Sequence, residues 1–292
     1  MRTLLKIGFG LLALSVLLIG LMFSFLRTHG STSRANPEGR TVASETRPIT
    51  EEVSDIDLSG PIDMTLRQGA IASMSVRGEQ RLLGNIDTSQ DGSKLSIGTK
   101  GMLLHHRQPL QVVLVLPSIT SLKIRGSGDS TINGFSGEKV DVQLYGSGNV
   151  KFNGRYKDVA ASVIGSGDME MNGGASDKVE VALVGSGQMT VVGQCKRFKA
   201  EQSGTGALDA EHLAADATEV NLRGSGNSVV QARKTADVTL RGTGDVQVLG
   251  NPDARTVNRS GSGEVTFRRR VSSQSSAPRP AARPLAKQAV SR

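Results

Sequence analysis

Tryptophan is absent from the chain's 292 residues, tyrosine occurs twice, and aromatics together make up 3%. A globular core built on large rings is therefore disfavoured. The composition suits an extended architecture filled by Val, Leu, Ile and Met. A single cysteine, Cys195, excludes an intrachain disulfide and a cysteine metal cluster. Its simplest reading is a small, half-buried residue near a turn. Phosphate-binding fingerprints are missing too. No G-x-x-x-x-G-K-[ST] occurs, and no third glycine follows the recurrent Gly-x-Gly at the dinucleotide spacing.

Net charge is +8, but it is unevenly placed. Residues 1–40 carry +4, and residues 265–292 carry +7 with no acid, which leaves −3 for the 224 residues between. The basic pI of 9.9 thus belongs to the two ends. A near-neutral body argues against a nucleic-acid partner.

The longest apolar run is Ile7–Leu26, twenty residues without a charge, flanked by Arg2, Lys6 and Arg27. As a helix it would span ~30 Å, the thickness of a bilayer core. Residues 1–27 are expected to be an uncleaved signal-anchor helix, with a cleaved signal peptide as the alternative. No Cys follows the run, which excludes lipoprotein anchoring. The short lead and the large body after it favour export of the body. Residues 28–48, polar and rich in Gly, Pro and Ser, read as a flexible linker.

What the chain has in quantity is glycine, 35 residues, and most of it is periodic. A Gly-Ser/Thr-Gly triplet starts at Gly126, Gly146, Gly165, Gly185, Gly204, Gly224, Gly242 and Gly261 and closes at Gly128, Gly148, Gly167, Gly187, Gly206, Gly226, Gly244 and Gly263. Successive spacings are 20, 19, 20, 19, 20, 18 and 19 residues. Before most triplets, positions −6, −4 and −2 are apolar, as in Val140, Val142 and Leu144 or Val179, Val181 and Leu183. After the triplet, positions +4 and +6 are apolar in most copies, as in Val150 and Phe152. Both flanks are period-two strands with one buried face. A further glycine at +8 (Gly134, Gly154, Gly173, Gly193, Gly250) follows Asn in three copies and reads as an Asn-Gly turn at positive φ.

Each repeat is thus strand, glycine corner, strand, turn and return. One coil cannot bury its apolar face alone, whereas a stack buries a continuous column. The expected fold is an all-β parallel β-helix or solenoid with coils of 19–20 residues. A hairpin meander has no need of so constant a period. The solenoid is expected over 49–267: irregular coils at 49–124, then regular coils at 125–267. The Gly204 copy, with Gln202 inward and His212 at the usual second glycine, is expected to bulge or loop. The last copy places Arg255, Val257 and Arg259 at inward positions and is expected to face water. Residues 268–292, with seven basic residues and no acid, read as a disordered tail able to touch anionic lipid or cell-wall polymer.

The order "IDLSGPIDMTLRQG", "LSIGT", "VVLVLPSITSLKIRGSGDSTING" and then recurring GSG coils resembles the putative auto-transporter adhesin head GIN domain family, over about residues 50–267. The resemblance implies a right-handed β-helix and an envelope location. It supplies no catalytic residues, and the chain has no room for a translocator barrel.

The chemical candidates are few. Residues after the triplet vary, so repeat-wide Ca²⁺ binding is disfavoured, and only Asp245 and Glu264 adjoin as carboxylates. His105 and His106 share a loop without a nearby acid, and His212 is alone. Exposed charges such as Lys151, Glu170, Asp141 and Glu180 read as a solvated face of mixed sign. Arg223 and Arg241 precede the triplet in adjacent coils and should stand ~5 Å apart, pointing outward. With Arg125 further along the rod they form a candidate anion-contact stripe for a glycan or surface polymer. The leading functional expectation is a non-enzymatic envelope module for adhesion or binding, without cofactor, anchored in the inner membrane with the solenoid exported, or secreted if the leader is cleaved. The alternative is a carbohydrate-active β-helix enzyme with carboxylates grouped along an exposed groove.

Overall fold

The computed structural model describes residues 41–101 and 109–269. The apolar run Ile7–Leu26, His105, His106 and the tail beyond Arg269 lie outside the described residues. Among those described, no helix is long and apolar enough to cross a membrane.

The chain opens with β1 (Val42–Arg47), β2 (Asp55–Ser59), β3 (Ile62–Gln68), β4 (Ser73–Glu79), the short helix α1 (Gln80–Leu83), β5 (Ile86–Asp91), β6 (Lys94–Thr99), β7 (Leu110–Leu116) and β8 (Ser121–Gly126). The repeats then give β9 (Ser130–Gly146), β10 (Asn149–Gly165), β11 (Asp168–Gly185), β12 (Gln188–Gly204), β13 (Ala207–Gly224) and β14 (Asn227–Gly242). The last coil is split into β15 (Val246–Leu249), β16 (Ala254–Ser260) and β17 (Val265–Arg268). The result is a β-solenoid of about seven turns.

From β9 to β14 each strand pairs in parallel with the coil on either side. Each coil has an arm leading into the triplet, an arm trailing from it, and a short third side between them. The alternating apolar residues all turn inward: Val140, Val142, Leu144, Val150 and Phe152 are at most 1% exposed, and their counterparts in the next coils are buried as well. Burying a side chain of this size stabilises by about 1.5–3 kcal/mol, so the stacked columns dominate the fold's stability.

The corner explains the glycines. The first glycine of every triplet has positive φ, from +117° at Gly204 to +158° at Gly126. It also lies against the backbone of the coil before it: a Cβ on Gly165 would stand 2.3 Å from the carbonyl oxygen of Gly146. The second glycine has the same restriction, since a Cβ on Gly167 would meet Gly148 O at 2.4 Å. Both restrictions admit only glycine. The corner is also a hydrogen-bonding device, with Gly146 O accepting from the N–H groups of Ser166 and Gly167, each at 3.0 Å.

Glycine therefore sits over glycine without slip along the whole array, as Gly146 over Gly126, Gly165 over Gly146 and Gly185 over Gly165. The variation in repeat length is absorbed at the second corner. Register shifts fall between Asn153 and Gly154, Asn172 and Gly174, Thr190 and Gly193, and Ala210 and Ala214. This corrects the expected uniform Asn-Gly turn. Gly134, Gly193 and Gly250 have positive φ, but in the third copy Gly174 takes that role in place of Gly173, and Gly154 does not have it. The second corner is a bend or bulge in a continuous strand, loose enough to hold one residue more or less. The Gly204 copy bulges there, and β13 continues through it without a loop.

Both ends depart from the repeat. β1 occupies residues 42–47, which were expected to be linker. At the start, β8 stacks on β2 and β2 on β6 in parallel, after which β6 pairs antiparallel with β5. On the other arm β3 stacks on β7, and β4 and β1 follow antiparallel. Antiparallel pairs thus close the first end. At the last end β16 is exposed throughout. Its inward arginines fold across the open column: Arg255 stacks on Phe267 at 4.8 Å and donates to Pro252 O at 3.1 Å, while Arg259 donates to Gly263 O at 3.2 Å.

One coil pair holds a polar patch in the core. Gln202 is 2% exposed, its amide N–H donates to Gly206 O, and its amide oxygen accepts from the hydroxyl of Ser228 one coil on. Ser228 stands where every later coil but its own carries Val, Met or Leu and the first carries Ser130, and here its hydroxyl answers the inward Gln202.

Two predictions follow from these contacts. Gly165→Val should destabilise by more than about 3 kcal/mol, through left-handed strain and a backbone clash. Gly92→Ala, at φ +56° with nothing within 4 Å of the added Cβ, should cost about 1 kcal/mol; equal denaturation midpoints for the two would refute the stacking explanation. Ser228→Val should cost about 1–3 kcal/mol by orphaning the Gln202 oxygen. Adding Gln202→Leu should recover most of that loss in the same urea titration, and additive losses would contradict the pairing.

Candidate binding surface

The outward residues form columns along the rod, one rung per ~4.8 Å. Position −1 reads Arg125, Tyr145, Ile164, Val184, Ser203, Arg223, Arg241 and Ser260, each in register with the next. Arg223 and Arg241 are therefore direct neighbours, and both are exposed. Neither makes an ion pair with a described residue; Arg223 acts electrostatically on Glu201, whose carboxylate is bonded to Lys199 at 2.8 Å. Arg125 does not belong with them. Four rungs intervene, and its guanidinium is taken by Asp57 at 2.6 Å, a carboxylate that also holds Lys94 at 3.5 Å. Of the three arginines expected to form a stripe, only Arg223 and Arg241 adjoin.

Sequence reasoning missed what lies between. Ile164 and Val184, 41% and 45% exposed, adjoin in the same column. Beside them position −3 carries the small residues Ser162 and Ala182, and position −5 carries Ala160, which together leave a depression of about 290 Å³. A second depression, of about 320 Å³, runs from Val184 past Ser203 to Arg223, with Glu201 on its rim. The signal was present in the sequence as apolar residues at an outward position. It becomes meaningful only when the register shows that they touch.

The corner hydroxyls are exposed but weakly joined; among the described residues one bond links them, Ser186 to Ser166 at 3.1 Å. The residues at +3 brace the backbone of the next coil. Asp168 Oδ1 accepts the N–H of Gln188 at 2.8 Å, and Asp245 Oδ1 accepts that of Glu264 at 2.8 Å. The Asp245–Glu264 pair thus serves the stack, and no group of three or more His, Cys, Asp or Glu gathers among the described residues. Cys195 is buried, and burial pushes its thiol up to about 12, so it stays protonated and unreactive.

Charge on the third side is ordered, which the reading of a mixed solvated face overlooked. At position −8 the residues are Glu138, Lys157, Asp177, Lys196, Asp216, Lys234 and Asp253, alternating in sign at every coil. Ion pairs close at 2.8 Å (Glu138–Lys157), 2.7 Å (Asp177–Lys196) and 2.8 Å (Asp216–Lys234). The hydrogen bond from Lys196 holds Asp177 below the usual carboxylate range, and that from Lys234 does the same for Asp216. The bond to Glu138 raises Lys157.

The signs fix the pH window. Lowered carboxyls add stability that is present above the ordinary carboxyl range and lost as pH falls through their folded values. Raised Lys157 adds stability that is lost as pH rises through its folded value. The ladder is therefore complete between about pH 5 and 9. Being exposed, it should act gently. Lys196→Glu should lower Tm at pH 7 by less than Gly165→Val does, and should lower it less at pH 3. Combining it with Asp177→Lys should restore Tm in a melting series, whereas an unchanged Tm for the single variant at pH 7 would remove the ladder's role.

The sequence profile described as putative auto-transporter adhesin, head GIN domain, matches residues 53–178 and 165–252. No curated protein matches the chain. Among solved structures, one named a putative lipid binding protein from Parabacteroides distasonis is 22% identical, with a TM-score of 0.73, covering 78% of this chain and 96% of that one. A putative adhesin from the same organism is 20% identical with a TM-score of 0.73, covering 79% and 98%. Another putative adhesin, from Parabacteroides merdae, is 18% identical with a TM-score of 0.71, covering 77% and 96%. At these identities the likeness is one of fold. With its coils, its corners and the profile match over two thirds of its length, the chain belongs to the putative auto-transporter adhesin head GIN domain family.

Proposed function

We propose that this chain is a non-enzymatic binding module of the bacterial cell envelope. It is held at the inner membrane by the apolar segment Ile7–Leu26, with the solenoid exported, and it presents the face of positions −5, −3 and −1 to an envelope ligand. The carrying observation is the −1 column, where apolar side chains and two unpaired guanidiniums stand exposed in register over shallow depressions. A rigid sheet offers such a column without paying ordering entropy on contact.

The enzyme alternative requires carboxylates grouped in a groove and available to substrate. Several acids on and beside this face are instead engaged, Glu180 with Lys178 at 2.8 Å, Glu201 with Lys199 at 2.8 Å, and Glu170 on the trailing arm with Lys151 at 3.5 Å, while Glu219 and Asp237 adjoin at position −5 without an ion pair among the described residues. The chain's membership of an adhesin-named family agrees with binding.

The test uses the full chain and labelled envelope lipid and glycan fractions. Ala182→Arg, in the middle of the face, should reduce capture about tenfold or more. Thr190→Arg, outward on the trailing arm, should leave it unchanged. Equal capture by both variants would contradict the assignment of the face. Cleavage of the solenoid by protease added to spheroplasts is expected, and protection would overturn export.

A further inference from the structure

We propose that the −1 column binds an anionic amphiphile, a lipid whose phosphate headgroup is held between Arg223 and Arg241 and whose chain lies over Val184 and Ile164. This rests on the reading of that face as a binding surface and names its ligand class.

The first argument compares two columns. On the third side the chain places opposite charges in successive coils, from Glu138 to Asp253. At position −1 it places like charges in register, Arg223 against Arg241. Like charges directly opposite in a sheet are unfavourable, and the fold gains nothing visible from this pair. A phosphate between the two planar forks would reverse the sign of that interaction, because guanidinium matches phosphate geometry with paired N–H donors.

The second argument is apolar. Six large hydrophobic residues are exposed among those described, and Ile164 and Val184 are the pair that adjoin in register. They lie two and three rungs from Arg223, roughly 10–14 Å along the column. The depression of about 320 Å³ joins the two halves, with Val184 on one wall, Arg223 on another, and Ser203 and Asn221 to receive headgroup hydroxyl or ester oxygens. Glu201 faces the same depression while bonded to Lys199, and its charge directs the phosphate toward the Arg241 side. A bare anion would leave Ile164 and Val184 unused, and a neutral lipid would leave both arginines unpaired.

The full chain, held in phosphatidylcholine nanodiscs, would be titrated with monomeric dihexanoyl phosphatidate, dihexanoyl phosphatidylcholine and inorganic phosphate. Phosphatidate should bind most tightly and shift the methyl resonances of Ile164 and Val184. Arg241→Gln should weaken it about tenfold or more, and Val184→Thr about threefold. Because Arg241→Gln removes a repulsion, its Tm should be unchanged or higher, which separates lost binding from lost folding. Equal affinity for phosphatidylcholine, equal affinity for inorganic phosphate, or silent methyls would each overturn the proposal. If phosphatidate fails while Ala182→Arg still abolishes envelope capture, the ligand class falls and the binding face stands.

Discussion

A carbonyl oxygen lying 2.3 Å from where a Cβ would stand on the glycine of the next coil is the constraint on which the rest depends. That approach brings the coils to sheet spacing at the corner. It lets the corner carbonyls accept N–H groups from the next coil, two each at five of the seven corners, and it forbids any side chain at the first and last positions of the triplet. Once the corners are fixed glycine over glycine, both arms are forced into parallel register. The apolar columns then close, and the outward columns line up by type. Irregularity is exported to the second corner, where register shifts absorb repeats of 18 to 20 residues.

The outward columns divide the work of the surface. On the third side charges alternate and hold neighbouring coils together. On the trailing arm, carboxylates such as Asp168 brace the next coil's backbone. From Ile164 to Arg241 of the leading arm's −1 column neither device operates, and exposed aliphatic side chains run into two adjacent arginines. A repeat architecture makes this contrast readable, since each position is sampled once per coil under nearly the same backbone geometry. A column that departs from self-complementarity stands out against those that keep it.

Most of the fold was legible in the sequence, because the triplet period, the inward alternation and the backbone demand on glycine are all local or periodic signals. The ends were less so. β1 lay hidden in a polar stretch, since its pairing with β4 comes from tertiary contact and not from a pattern of its own. The second corner was read as a uniform turn because Asn-Gly is a strong local signal, yet packing moves the positive φ from Gly173 to Gly174. The surface was half legible. That Arg223 and Arg241 adjoin was readable from the period. That Arg125 pairs with Asp57 was not readable, because the two lie 68 residues apart in sequence. The third-side ladder needed only the same alignment at position −8.

The stacking account is tested most directly by amide hydrogen exchange at the corners. Ser166 is exposed at the rod's edge, yet its N–H and that of Gly167 are donated to Gly146 O. If the corners carry the stack, these amides and their equivalents at Ser147, Ser186 and Ser225 will exchange as slowly as the buried arm amides. Exchange at the rate of an open loop, with the arms still protected, would show that the arms alone hold the coils together and that the glycine corner is a passive turn.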